Sequence, residues 1–153
     1  MAADEGGDPY ELTRFVEAQD ARRTLAEAID ELREGRKVTH WMWFVFPQIS
    51  GLGQSPTARR YAIGSLDEAR AYLDHAVLGP RLRNAATEVL VAPARTAQEL
   101  LGSIDAMKLR SSMTLFVRAD PGEPLWQQVL DRWFDGVPDA ATDGLLAGGV
   151  GRG

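Results

Sequence analysis

Residues 35–66 read GRKVTHWMWFVFPQISGLGQSPTARRYAIGSL, and within them the run from Val38 to Ile49 decides the fold class. Read as a buried strand, that run would seed a sheet; read as a short buried helix, it leaves the chain entirely helical. It is almost wholly apolar, so periodicity does not separate the two, and the neighbouring signals must. Thr39 offers a cap for a short helix that Pro47 would end. The rest of the chain is so rich in helix signals that helix is the preferred reading.

Working outward, Asp8-Pro9 supplies an N-cap and a first-turn proline for a helix with Leu12, Phe15 and Val16 on its buried stripe. A second helix is expected over 21–34, with Leu25, Ala28, Ile29 and Leu32 inward and Gly35 just past its end. On the other side, Ser55-Pro56 opens a short helix to about Ile63. Ser65 with Glu68, and Thr96 with Glu99, have capping-box spacing. Gly79-Pro80 separates the helix after Ser65 from one that Pro93 ends. Further helices are expected from Asp105 to about Arg118, from Pro124 to Gly136, and from Asp139 to Leu146. No stretch alternates with period two between hairpin turns, and no fixed-period repeat appears. The expectation is an all-α chain: a single multihelical globular domain of seven to nine short helices over residues 8–146. Residues 1–7 and 147–153 are read as flexible termini.

Composition narrows the function classes. The 153-residue chain has no cysteine, which removes disulfides, thiol nucleophiles and cysteine-held metal centres. Its two histidines have no ligand spacing, so no metal site and no cofactor are expected. No apolar run is long enough for a membrane span, and the acidic N-terminus lacks the apolar core of a signal peptide, so a cytoplasmic location is expected. The formal charge of −5 makes nucleic acid an unlike partner. Residues 35–66, however, hold Arg36, Lys37, Arg59 and Arg60 and no acid, a local field that suits a small anion.

Three groups of residues carry candidate chemistry. His40 reads either as an acid/base or anion donor beside Trp41 and Trp43, or as a core histidine bonded to a carbonyl. Trp43 offers an aromatic face, and Gln48 needs a partner if buried. The loop Gly51-Leu52-Gly53-Gln54-Ser55 enters a helix and so offers free N–H groups to an anion, with Arg59 one turn on; an ordinary helix-entry turn is the preferred explanation. Lys108, Ser111 and Ser112 share a helical face that would complete an anion site if it faced residues 35–66. A Ser111 or Ser112 nucleophile with His40 as base lacks the surrounding motif of known nucleophile turns. Asp30/Glu31 and Asp67/Glu68 read as solvated charge, and His75 as a partner for a helix C-terminus.

The run His40–Gln48, then Gly51-Leu52-Gly53, Tyr61-Ala62-Ile63, Leu78-Gly79-Pro80-Arg81-Leu82 and Lys108-Leu109-Arg110-Ser111-Ser112-Met113-Thr114-Leu115-Phe116, is distinctive in aggregate. Together these motifs resemble a family of small bacterial proteins known as domain of unknown function 1810, some of whose members carry the label calpastatin. The resemblance covers roughly residues 8–146 and implies a mainly helical single domain with no established activity. One departure is Ala76, where similar proteins have proline after the preceding histidine. The residues therefore point first to a binding module for a small anionic or nucleotide-like ligand. Its site would combine Lys37, His40, Trp43, Gln48, Gly51, Gly53, Ser55, Arg59, Lys108 and Ser111. An enzyme using His40 as acid/base on such a ligand, or a structural or protein-interaction domain without a small-molecule site, are the alternatives. The oligomeric state is not legible.

Overall fold

Local capping chemistry sets most helix starts. Ser55, Ser65, Thr96 and Asp139 each accept, through the side chain, the N–H three residues on, at 2.9–3.1 Å. Pro56 and Pro124 occupy first-turn positions where no N–H is needed. The computed structural model describes residues 7–149, and its helices in order are α1 (Thr13–Asp20), α2 (Thr24–Glu34), α3 (Met42–Val45), α4 (Pro56–Arg60) and α5 (Leu66–Asp74). Then follow α6 (Leu78–Leu90), α7 (Ala97–Leu101), α8 (Ser103–Ala119), α9 (Pro124–Phe134) and α10 (Ala140–Gly144), which runs into a π-helical turn, Leu145–Gly149. Among the described residues the only pairing of strand type is one isolated parallel bridge between Ile49 and Ile63. The chain is all-α, and nine of these helices have five residues or more.

The molecule is built around α8. Its 17 residues bury Ala106, Leu109, Met113, Leu115, Phe116 and Ala119, and α5, α7, α9 and α10 pack against it. A helix apolar on so many sides belongs inside, not at a surface. Aromatic rings continue the core from α1 to α9. Phe15 meets Tyr72 edge-on at 5.1 Å, Tyr72 lies 5.7 Å from Phe116, and Phe116 lies 5.7 Å from Trp126. Burial lifts the Tyr72 phenol well above its ordinary pKa, outweighing the opposing hydrogen bond from Gln19.

Several expected elements differ in extent. Asp8 does cap, but its carboxylate accepts the N–H groups of Leu12 (2.6 Å) and Thr13 (2.8 Å), so α1 starts at Thr13 and not at Pro9. The second helix starts at Thr24 instead of 21, because Arg22 (φ 53°) and Arg23 (φ 59°) turn left-handed and kink the chain. Helix in the 38–49 run is a single turn, Met42–Val45. Thr39 caps nothing; its hydroxyl donates to Glu31 instead. Gly79-Pro80 lies inside the first turn of α6 rather than before it. His75 follows the last residue of α5, and its Nδ1 also accepts the N–H groups of Val77 and Leu78, both at 3.1 Å, at the start of α6. Of the expected flexible termini, residues 1–6 and 150–153 lie outside the described residues, and 147–149 belong to the final π-turn.

Candidate functional site

The segment between α2 and α3 is anchored before it reaches His40. Gly35, at φ 85°, lets Arg36 N–H bond back to Glu31 O (3.1 Å), and Lys37 N–H then crosses to Leu100 O on α7 (2.7 Å). Glu31 does the rest. Its carboxylate accepts Val38 N–H at 2.8 Å, Thr39 N–H at 3.1 Å, the Thr39 hydroxyl at 2.6 Å and the Trp41 indole N–H at 2.9 Å. Burial alone would raise the Glu31 pKa, but these hydrogen bonds outweigh it and hold the group below the ordinary glutamate value. Glu31 is thus a buttress, not the solvated charge expected of it. Glu68 is likewise buried, paired with Arg14 at 3.0 Å and accepting Gly64 N–H at 2.9 Å.

With this segment in place, Lys37, His40 and Trp43 form one wall of a hollow of about 410 Å³, and the first turn of α8, from Ser103 to Asp105, forms the other. That volume falls within the range of small-molecule sites. Apolar surface from Met42, Leu101 and Ile104 completes it. Trp41 is fully buried, whereas Trp43 is half-buried and His40 is exposed, so the reading of His40 as a core histidine does not survive. The feature no motif signalled is Asp105. Its Oδ2 lies 2.8 Å from Lys37 Nζ and its Oδ1 3.5 Å from Lys108 Nζ, so one carboxylate bridges both lysines. Lys108 Nζ also stands 4.5 Å from the centroid of the Trp43 ring, a cation–π contact.

Gln48, Gly53, Lys108 and Ser111 line a second, smaller hollow of about 230 Å³, which shares Ile104 with the first. The Trp43–Lys108 pair and Ile104 separate the two. Ser111 Oγ bonds to Met107 O (3.0 Å) and to Asp139 Oδ2 (3.2 Å). Ser112 turns into the core, where its hydroxyl has no partner, so it takes no part in the face expected of it. No Ser111–His40 or Ser112–His40 pair is formed among the described residues. Gly51, Ser55 and Arg59 line neither hollow. Packing accounts for both glycines: a Cβ on Gly51 (φ 107°) would meet Leu145 Cδ2 at 3.1 Å, and one on Gly53 would lie 2.5 Å from Ala58 Cβ. Ser55 Oγ caps α4, and Arg59 donates to Gln54 Oε1 at 3.2 Å.

A larger hollow, about 570 Å³, lies at the kink between α1 and α2. Three of its polar side chains are engaged by residues outside its lining: Asp20 pairs with Arg81 (2.9 Å), Arg33 pairs with Glu88 (2.8 Å), and Gln19 donates to Phe44 O (2.8 Å) and accepts from Arg81 (3.2 Å). Among the described residues no helix is long and apolar enough to cross a membrane.

Fold and hollows together define an all-α, single-body protein with two lysine-bearing hollows against its central helix, the larger of them lined by Lys37, His40 and Trp43. The chain belongs to a family described as protein of unknown function (DUF1810), whose model matches residues 9–146. It is similar to the crystal structure of the conserved hypothetical protein Rv1873 from Mycobacterium tuberculosis, with a TM-score of 0.87 and 48% identity over 92% of this chain and 99% of that one. No curated protein matches the chain. Family and neighbour are both described without a function, so kinship assigns no activity.

Proposed function

We propose that this protein is a binding module for a small ligand that joins an anionic group to a flat or apolar body, as a nucleotide does. The observation that carries the reading is the makeup of the 410 Å³ hollow: Lys37, His40 and Trp43 on one wall face the first turn of α8 on the other. Lysine and imidazole suit an anion, and the half-buried Trp43 ring with Met42, Leu101 and Ile104 suits a flat body. The start of a 17-residue helix adds a favourable dipole, with no side chain capping it. His40 is the exposed imidazole of the hollow, so turnover of a bound ligand, lost in His40→Ala with binding retained, would add catalysis to binding.

Thermal-shift measurement against nucleotides and sugar phosphates tests the reading. A ligand at ten times its Kd stabilises the folded state by roughly 1.4 kcal/mol, about 3–6 °C for a chain of this size. The shift should shrink in Lys37→Ala and His40→Ala, whose side chains line the hollow. A screen in which no anion moves the wild-type melting temperature removes the reading.

A second reading rests on Ile104 and Met107, one turn apart on α8 and 73% and 68% exposed. A ridge of large apolar side chains between two hollows suits a protein partner. The same screen separates the two, since small anions have no reason to act on that ridge.

A further inference from the structure

We propose that Asp105 is a built-in competitor for the ligand's anionic group, and that it restricts the hollow to dianions such as phosphate monoesters. This rests on the ligand-site reading above. One carboxylate reaching Lys37 Nζ at 2.8 Å with one oxygen and Lys108 Nζ at 3.5 Å with the other occupies the place a ligand anion would take. Asp105 lines the hollow itself and is the only acid to do so among the described residues. The three side chains, Lys37, Asp105 and Lys108, are 7%, 19% and 20% exposed, so their attraction is screened less than that of a surface pair.

A free carboxylate would have to exchange like for like with a carboxylate already tethered beside the lysines. Tethering gives Asp105 an effective concentration of order millimolar or above, so a dilute monoanion loses that exchange. A phosphate monoester carries roughly −1.5 to −2 charge at neutral pH and three acceptor oxygens, so it gains at both lysines what a carboxylate cannot. Asp105 thereby acts as a specificity-determining residue. It also keeps the buried Lys37 charge compensated while no ligand is bound.

Phenyl phosphate and benzoate share a ring and differ in the anion, which makes them suitable probes. Each is titrated calorimetrically into the wild type and into Asp105→Asn. The wild type should bind phenyl phosphate and discriminate against benzoate. Asp105→Asn should bind benzoate about tenfold more tightly than the wild type does. The variant should also melt at a lower temperature, with phenyl phosphate restoring more of the loss than it adds to the wild type. Asp105→Ser is the second variant should the amide fail to fold. Benzoate binding that is the same in the wild type and the variants overturns the role of Asp105 and leaves the site standing. Absence of binding by both probes to all of these proteins overturns the site and this proposal with it.

Discussion

The Glu31 carboxylate holds residues 38–41 through two backbone N–H groups, a hydroxyl and an indole N–H. Because its pKa is depressed in the folded state, its contribution is present above the unfolded glutamate value and is lost as pH falls through the lower folded value. Glu31→Gln should therefore cost about 2 kcal/mol at neutral pH, since an amide brings its own donors to a place already full of donors. The difference from wild type should close as the solution falls below about pH 4. Urea unfolding of both proteins at neutral and at acid pH checks this; an equal difference at both would remove the carboxylate from the account. Nothing in the spacing of Glu31 marks it, because its partners lie beyond the Gly35 turn and become neighbours only when the chain doubles back.

At the scale of the element, α8 shows how far a periodic pattern can be read. Its existence and approximate ends were legible; which of its apolar residues are core, Leu109, Met113 and Phe116 among them, the packing shows. Met107 is apolar as well but stands exposed, on the part of α8 near its start that also leaves Ser103 and Ile104 open. Met113→Ala should cost 2–5 kcal/mol, the usual range for emptying a packed site, and Met107→Ala less than about 0.5 kcal/mol. Equal costs in thermal or chemical unfolding would mean that α8 is turned the other way. The capped starts of α4, α5, α7 and α10 were legible for a simpler reason: a cap and its N–H partner are three residues apart. The kink at Arg22 and Arg23 was not, since nothing about two arginines favours a left-handed backbone and packing must impose it.

Across the whole molecule, two glycines mark where distant segments meet. Gly35 takes φ 85° and a Cβ there would sit 2.5 Å from the Pro93 carbonyl oxygen, while Gly51 takes φ 107° beside the movable end of Leu145. Both alanine variants pay the left-handed penalty, about 1–2 kcal/mol. Gly35→Ala should exceed Gly51→Ala by at least about 1 kcal/mol, since a backbone oxygen yields less readily than a leucine methyl. Denaturant midpoints of the two variants decide it, and the reverse order would contradict the packing of 35 against 93. The gathering of Lys37, His40 and Trp43 against α8 is a fact of the same scale.

By itself, the sequence determined what short-range chemistry can specify: an all-α chain, most helix starts and stops, and a basic, aromatic stretch worth attention. Caps, prolines, end glycines and apolar stripes act within a turn or two, and so they show in a linear string. Tertiary structure alone decided which charges remain free. Residues 35–66 hold no acid of their own, but folding brings Asp105 to Lys37 and Lys108 and Glu31 to the 38–41 segment. Charges pair by distance in space, and a local excess of positive charge becomes a site only where folding leaves some of it uncompensated.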